Sequence, residues 1–476
     1  MNRVKKNIIY NVMYQVLILI IPLITMPYVS RVLGADGIGI HSYTYSIAYY
    51  FMLIAMLGLN NYGNRTIAKV RDNKEALSKE FWSIYAFQVI TSITMIIGYL
   101  IYIFLFDNQY KTIAIIQTMY IISSMFDINW FFFGIEKFKL TITKNTIVKI
   151  ISLILIFAFV KTPNDVWKYS TILAGSALIS NIFLFTFLRK YVNIAKVNGK
   201  DIIKHLKPNL VLFLPVIAVS IYKIMDKIML GVISSVTEVG YYENAEKMTQ
   251  VPLVIITALG TVMMPRVTNL LTNNKEDEVK KILKTSMPFI MFMTFPMVLG
   301  IIAISKDFST IFFGSDFEKC GLLIQLLSIT IIFLAWGNVI RTQYLIPKEK
   351  DREYIISAFL GAIVNFVMNC IFIPLYQSAG ACIGTIAAEF IVMLYQSWAI
   401  RKELPLMEYI INSVVFVVKS IIMFIIILII GKYVENSALR IIVQVSVGIV
   451  IYALLNIKYI AHILGVDKLL RKGENI

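Results

Sequence analysis

Three charged residues lie close together inside a strongly apolar stretch. Lys223, Asp226 and Lys227 fall some fifteen to twenty residues into an apolar run that begins near residue 208. Spacings of three and four residues put them on one face of a helix. A charge at the centre of a bilayer costs about 2.5–3.5 kcal/mol on insertion scales, so such residues mark a functional site or a structural pair. Asp226 can neutralise one lysine and leave one inward positive charge, or that lysine can simply be its structural partner.

Other basic side chains also lie within or beside apolar runs. Lys149 is in the middle of the fifth run, one turn after Asn145, and Arg341 is one turn after Asn338. Long basic side chains near helix ends can reach the membrane surface while their stems stay in the apolar layer. That behaviour is open to five residues: Lys144, Lys247, Arg266, Arg341 and Arg440.

Acidic residues inside the apolar runs are candidates for coupling to a proton or a cation. Asp127 is deep in the fourth run, Asp226 is in the seventh, and Glu389 is near the middle of the twelfth. Each carboxylate can instead pair with a nearby lysine, and the sequence alone leaves both readings open.

Enzymatic chemistry finds no support in the sequence. A membrane-bound transferase or polymerase needs a nucleophile, a metal site or paired carboxylates, usually on a sizeable loop or re-entrant segment. The three histidines are scattered, the three cysteines have no paired spacing, and no predicted loop exceeds about twenty residues. We therefore expect no catalytic residue, no metal site and no bound cofactor.

Long apolar segments must position these charged residues. The chain of 476 residues is 58% hydrophobic, with a mean hydropathy of +0.76. A bilayer span needs about 20 apolar residues. The composition therefore predicts an all-α integral membrane protein with about fourteen transmembrane helices and no sizeable soluble domain. The predicted runs cover residues 8–29, 39–59, 81–106, 112–134, 141–160, 169–188, 208–231, 245–266, 285–305, 320–341, 354–375, 379–400, 410–431 and 439–457.

The distribution of basic residues predicts the orientation. With the N-terminus inside and the sides alternating, the inside segments carry 29 Lys and Arg and the outside segments carry 7. Short cytoplasmic loops are enriched in Lys and Arg. The asymmetry therefore predicts an even number of spans and two cytoplasmic termini. It also explains the formal net charge of +17 without a nucleic-acid partner.

A weak internal repeat relates the first and seventh runs. Arg31 to Gly34, followed by Gly37 and Gly39, resembles the stretch from Lys227 to Gly231, followed by Gly240. Each copy follows a proline-bearing helix, with Pro22 and Pro27 in the first and Pro215 in the second. The copies are six helices apart with the same orientation, which suggests two parallel six-helix bundles plus two extra helices, as in many transporters.

Ordered motifs along the chain resemble the Wzx-type flippases, which handle O-antigen or capsule repeat units within the multidrug/oligosaccharidyl-lipid/polysaccharide superfamily. The first motif runs from Pro27 to Gly39, and the most specific runs from Asp127 to Glu136. The remaining motifs are residues 58–65, 226–231, 240–245, 341–347 and 380–389. Together they cover the whole length of the chain.

The resemblance implies an architecture and a direction of transport. It implies two six-helix lobes around a central cavity, followed by two C-terminal helices. We expect an N-terminal lobe over residues 1–207, a C-terminal lobe over 208–400, and helices 13 and 14 with a cytoplasmic tail over 401–476. It also implies that a polyprenyl-pyrophosphate-linked oligosaccharide moves from the cytoplasmic to the outer leaflet of a bacterial cytoplasmic membrane by alternating access.

A pyrophosphate carrier needs buried positive charge along its path. The expected substrate-binding residues are Arg31, Lys149, Lys223, Lys227 and Arg341, and the expected coupling residues are Asp127, Asp226 and Glu389. The coupling ion, H⁺ or Na⁺, or coupling to the membrane potential, stays open, and a polysaccharide polymerase and glycosyltransferases are expected partners. The alternative function is a multidrug or cation antiporter of the same fold.

Overall fold

The computed structural model describes residues 3–106 and 109–463, with side chains from Ile20 onward except at residues 259, 261 and 262. Over these residues it contains helices and turns and no strand. In the first half the helices are α1 (Arg3–Met56), α2 (Leu59–Val70), α3 (Lys74–Phe106), α4 (Lys111–Met125), α5 (Asn129–Gly134), α6 (Phe138–Phe159), α7 (Val166–Leu188), α8 (Gly199–Ile203) and α9 (Leu206–Ile233). In the second half they are α10 (Val236–Thr272), α11 (Glu276–Phe313), α12 (Glu318–Ile340), a π-helical turn (Arg341–Leu345), α13 (Asp351–Tyr376), α14 (Ser378–Ile400), α15 (Leu406–Lys432), α16 (Ser437–Leu455) and α17 (Ile457–Ile463).

Twelve helical segments within the described residues are long and apolar enough to cross a membrane. One of them contains two predicted spans, because α1 is interrupted at Gly34, which has φ 67° and ψ −179°. A left-handed φ is unfavourable for residues with a Cβ, so glycine permits this break. The short α4 accounts for one more predicted span. The all-α membrane fold with about fourteen helices is therefore confirmed.

Two predicted connections are more helical than expected. Residues 30–38 were predicted to be a loop, but helix continues on both sides of Gly34. Residues 60–80 contain α2, whose buried face carries Leu59, Gly63 and Ile67. Spacing by four residues places these three on one stripe, which covers the core while the polar face stays exposed. Apolar window counting missed α2 because half of its residues are polar.

The predicted fourth span is broken rather than continuous. α4 ends at Met125, and α5 begins at Asn129. The break releases backbone carbonyls, and the Gln88 side chain compensates: its amide donates hydrogen bonds to the Ser124 carbonyl (2.6 Å) and the Asp127 carbonyl (2.9 Å). Gln88 also accepts a 2.9 Å hydrogen bond from the Trp130 indole N–H. A buried backbone break needs such partners in a membrane.

The chain divides into two compact units, residues 1–243 and 244–476, and the boundary falls inside α10. In the first unit, the fully buried Phe81, Trp130 and Phe131 pack together as an aromatic core between α3 and α5. In the second unit, α14 packs closely on α13, because a Cβ at Gly380 would lie 2.1 Å from the Phe372 carbonyl oxygen. Small residues of the twelfth apolar run therefore lie at a close helix contact.

Candidate functional site

The best-defined polar cluster of the first unit centres on Lys227. This residue lies near the C-terminal end of α9 and is 9% exposed. Its Nζ is 2.6 Å from Oε2 of Glu243, which is also 9% exposed and lies near the start of α10. The same Oε2 accepts a 2.8 Å hydrogen bond from the Ser42 hydroxyl on α1. One carboxylate oxygen therefore joins three helices.

The residues that precede Lys227 and Glu243 in sequence, Asp226 on α9 and Tyr242 on α10, also interact with each other. Asp226 is 1% exposed, and its Oδ2 accepts a 2.7 Å hydrogen bond from the Tyr242 hydroxyl. Two consecutive residues of α9 thus bind two consecutive residues of α10. Buried polar groups are stable only when hydrogen-bonded, and this paired arrangement satisfies that requirement for both carboxylates. We name Ser42, Asp226, Lys227, Tyr242 and Glu243 the α9–α10 cluster.

Glycines bring α1 close enough to complete this cluster. A Cβ at Gly39 would lie 1.7 Å from the Val236 carbonyl oxygen, and a Cβ at Gly240 would lie 2.0 Å from the Ala35 carbonyl oxygen. A Cβ at Gly231 would likewise meet the Tyr43 ring at 2.2 Å. Backbones can approach this closely only where no side chain intervenes. Three glycines of the internal repeat, Gly39, Gly231 and Gly240, are therefore contact points between α1 and the α9–α10 hairpin.

The other expected cations of the first unit do not all join this cluster. Lys223 is exposed on α9, one turn before Lys227. Arg31 is exposed on α1, one turn before the break at Gly34. Lys149 is half-buried on α6. The structure therefore brings Asp226 and Lys227 into one buried network and leaves Lys223 and Arg31 on accessible surfaces of their helices.

The fifth expected cation, Arg341, belongs to the second unit. It is half-buried and is the first residue of the π-helical turn, with its guanidinium carbon 5.9 Å from the centre of the Tyr354 ring. π-helical turns often occur at functional sites. Two residues later in the same turn, Gln343 is fully buried, and neither end of its amide has a hydrogen-bond partner among the described residues.

The candidate coupling residues differ in their surroundings. Asp127 lies in the break between α4 and α5, where its Oδ1 accepts hydrogen bonds from the Asn129 backbone N–H (3.0 Å) and side-chain amide (2.5 Å). Asp127 therefore has a concrete structural role at the start of α5, and a coupling role stays a prediction. Glu389 is 6% exposed on α14 in the second unit, and its coupling role also stays a prediction.

The expectation that basic side chains near helix ends extend to the surface is wrong for Lys144. This lysine is 4% exposed, and its Nζ donates a 3.1 Å hydrogen bond to the Asn181 side chain on α7. Arg440 fits a helix end better: its guanidinium lies 2.9 Å from Oδ2 of Asp307, and its side chain is 30% exposed. The hydrogen bond to Asn181 on another helix holds the Lys144 side chain inside the protein. The spacing of residues along the sequence does not reveal such a partner.

Sequence reasoning missed three members of the α9–α10 cluster, namely Ser42, Tyr242 and Glu243. Glu243 falls in the predicted connection between the apolar runs over residues 208–231 and 245–266, whereas α10 begins at Val236. The available signal was its place in the motif over residues 240–245. With Glu243 included, the α9–α10 cluster holds one lysine, Lys227, and two acids, Asp226 and Glu243.

A polytopic helical fold with buried ionisable side chains inside its membrane helices is typical of membrane transporters. The chain belongs to the polysaccharide biosynthesis protein family, whose model matches residues 4–271. It is 22% identical over 404 residues to a putative O-antigen transporter of Escherichia coli strain K12, and the aligned region covers 84% of this chain and 97% of that protein. It is 23% identical over 405 residues to a putative O-antigen transporter of Shigella dysenteriae, and the aligned region covers 83% of this chain and all of that protein.

Two solved structures show the same fold. The lipid II flippase MurJ in an inward closed conformation matches with a TM-score of 0.77 and 17% identity, over 95% of this chain and 100% of that chain. An inward-facing multidrug resistance MATE family transporter matches with a TM-score of 0.62 and 13% identity, over 81% and 97% of the two chains. The resemblance to the flippase superfamily and the transporter class are thereby confirmed.

Proposed function

We propose that this protein is a flippase that moves a polyprenyl-pyrophosphate-linked oligosaccharide repeat unit from the cytoplasmic to the outer leaflet by alternating access. Family membership and the two O-antigen transporter relatives support a role in polysaccharide export. The geometric observation that carries the proposal is the buried Lys227, held between α1, α9 and α10. A diphosphate crossing an apolar layer needs such a cation.

Glu243 gives Lys227 a partner when no substrate is bound. An unpaired buried lysine would be unstable, and the carboxylate compensates its charge in an apolar setting. A diphosphate oxygen has the same charge and accepts the same hydrogen bonds as the carboxylate. We propose that the headgroup replaces Glu243 at Lys227 during transport, with Arg31, Lys223, Arg341 and Lys149 serving at other stages.

An apolar groove in the second unit is suited to the polyprenyl tail. It has a volume of about 430 Å³ and lies among α11, α15 and α16. Met297, Ile301, Met423 and Ile449 are among its lining residues. Because the surrounding lipid is equally apolar, the groove would hold a tail through van der Waals packing. We propose that the tail lies along this groove, within the lipid, while the polar headgroup crosses inside the protein.

The remaining parts of the proposal concern setting and energy. We place the protein in a bacterial cytoplasmic membrane with both termini in the cytoplasm, as the basic-residue asymmetry predicts. H⁺, Na⁺ or the membrane potential would supply the energy, with Asp127, Asp226 and Glu389 as candidate coupling residues. Glycosyltransferases would supply the substrate, and a polysaccharide polymerase would consume it.

Complementation tests the function. A strain that lacks its own repeat-unit flippase should regain surface polysaccharide when it expresses this chain. Without the chain, the lipid-linked oligosaccharide should accumulate on the cytoplasmic face, measured by its resistance to a glycosidase added outside intact spheroplasts. Increased resistance to cationic drugs without restored polysaccharide would contradict the proposal and favour the antiporter.

Cross-linking tests alternating access. Thr237 at the start of α10 donates a hydrogen bond to Asp36 on α1, so the two side chains meet and we choose these positions for a cysteine cross-link. In a variant without native cysteines, Asp36→Cys with Thr237→Cys should stop transport on oxidation and recover on reduction. Each single cysteine variant serves as the control. Full transport with a complete cross-link would argue against movement between these helices.

A further inference from the structure

A charged cleft lies at one end of the first unit, away from the α9–α10 cluster. It has a volume of about 760 Å³. Its walls come from three separate parts of the chain: the turn before α3, the turn between α5 and α6, and the residues after α7. All three belong to segments that the basic-residue distribution places in the cytoplasm. The cleft therefore lies where membrane helices end, at the level of lipid headgroups.

Basic side chains outnumber acidic ones in this cleft. Four cations line it, Arg71, Lys74, Lys137 and Lys190, against two acids, Asp72 and Glu136. The excess of two positive charges matches a phosphate or a diphosphate. Orientation in the membrane requires only that basic residues lie on the cytoplasmic side. It does not require that residues distant in sequence converge on one concave surface.

Glu136 ends the most specific sequence motif and has an unusual backbone. Its φ is 59°, in the left-handed region that few residues other than glycine adopt. Its Oε1 lies 2.6 Å from Nη1 of Arg71, across the cleft. The turn sets Lys137 beside it, with Nζ 5.8 Å from the centre of the Tyr191 ring. The motif thus positions one acid that holds Arg71 and one lysine of the cleft.

We propose that this cleft binds the phosphate or diphosphate headgroup of a membrane-anchored lipid at the cytoplasmic surface. The cations bind the headgroup oxygens, and the flanking Phe138 and Tyr191 contact the start of the lipid chain. Two sources share this chemistry, an anionic phospholipid of the bilayer and the polyprenyl diphosphate substrate. The second source rests on the proposed function, and the first does not.

A pair of double variants tests the site in the full-length protein. Lys74→Gln with Lys190→Gln removes two exposed cations from the cleft. Lys196→Gln with Lys200→Gln removes two exposed cations from the same end of the unit but outside the cleft. Both change the net charge equally. Binding is measured by native mass spectrometry in neutral detergent, with phosphatidylglycerol, phosphatidylcholine and a polyprenyl diphosphate as separate probes.

We expect the cleft variant to bind an anionic probe about tenfold or more weakly and the control within about twofold of the unmodified protein. Weakening for phosphatidylglycerol alone would identify a phospholipid site. If only the binding of polyprenyl diphosphate weakens, the cleft is a substrate site. If the binding of both anionic probes weakens, the cleft is a general headgroup site. Equal binding by the two double variants for every probe would overturn the proposal.

A third variant excludes a trivial loss of structure. Glu136→Gln releases Arg71 from its ion pair, so anionic lipids should bind about fivefold more tightly. A damaged protein would not gain affinity. Unchanged or weaker binding by Glu136→Gln would count against the site. Because these are binding measurements, they remain decisive even if complementation shows that the protein transports another molecule.

Discussion

Lys227 Nζ lies 2.6 Å from Glu243 Oε2, and about a tenth of each side chain is exposed. Removal of one partner from a buried pair leaves an uncompensated charge and costs about 3–5 kcal/mol. We therefore expect Glu243→Gln to lower the free energy of unfolding of the purified protein by about 3 kcal/mol. The double variant Lys227→Met with Glu243→Leu should recover most of that loss, measured by urea unfolding in micelles. Equal destabilisation of single and double variants would contradict this account.

The contact between α1 and α10 depends on a glycine. A Cβ at Gly240 would lie 2.0 Å from the Ala35 carbonyl oxygen, so Gly240→Ala must push the two helices apart. We expect a loss of about 1–3 kcal/mol in stability, as for other overpacked positions. Gly300→Ala is the matched control, because nothing lies within 4 Å of its added Cβ. A thermal unfolding series in which both variants behave alike would show that the close approach is unimportant.

The predicted orientation follows from the distribution of 29 and 7 basic residues over alternate sides. Alkaline phosphatase fusions, which are active only outside the cytoplasm, should be inactive after residues 70, 195 and 345. Fusions near residues 165 and 312 should be active. One reversed signal among the five sites would break the topology.

Acid should weaken the ion pairs around Glu403 in the second unit. Burial raises the pKa of Glu403, but hydrogen bonds from Lys350 and Tyr344, together with the positive charges of Lys350 and Lys348, outweigh burial and hold the pKa below its ordinary value. Because the folded pKa is the lower one, the stabilisation is present above the unfolded pKa of about 4.3 and is lost as pH falls through the folded pKa. Glu403→Gln should therefore flatten the fall in unfolding temperature below about pH 5.

The matched control for Glu403 is the exposed Glu349 on the neighbouring turn. Glu349→Gln should leave the pH profile of the unfolding temperature unchanged. If Glu403→Gln and the unmodified protein lose stability in parallel between about pH 5 and about pH 3, the ion pairs of Glu403 do not contribute.

Local periodicity revealed part of the site, and long-range packing determined the rest. The spacing of Lys223, Asp226 and Lys227 predicted a charged helix face, and two of the three do lie in one buried cluster. Their partners Tyr242 and Glu243 lie on the next helix, and Ser42, which bonds Glu243, is 201 residues from Glu243 in sequence, so spacing within one helix reveals none of them. In the same way, the repeat over residues 31–39 and 227–240 predicted that the two halves of the chain are related. It did not reveal what the glycines of the repeat contact. Only the packed backbone shows that Gly39, Gly231 and Gly240 mark contacts between helices.

We call Arg31, Lys223, Lys227 and Arg341 the proposed cationic path. Its most accessible members are Arg31 and Lys223, both exposed, whereas Lys227 is buried and Arg341 is half-buried. Arginine binds phosphate through two parallel hydrogen bonds, and lysine supplies a point charge. Arg31→Ala should therefore abolish surface polysaccharide at normal protein level, and Arg31→Lys should keep part of it. Because the Arg31 side chain is exposed, we expect its replacement to leave the stability of the protein unchanged, so a loss of polysaccharide reports on transport.

For Lys227 the double variant with Glu243 separates stability from transport. Lys227→Met with Glu243→Leu should fold and yet export no polysaccharide, because it keeps the packing and lacks the cation. An antiporter of organic cations needs acids in its cavity, so the sign of the essential charge distinguishes the two functions. Polysaccharide at the unmodified level in a variant with Arg31, Lys223, Lys227 and Arg341 all replaced by alanine would refute the path. Such a result would favour the antiporter.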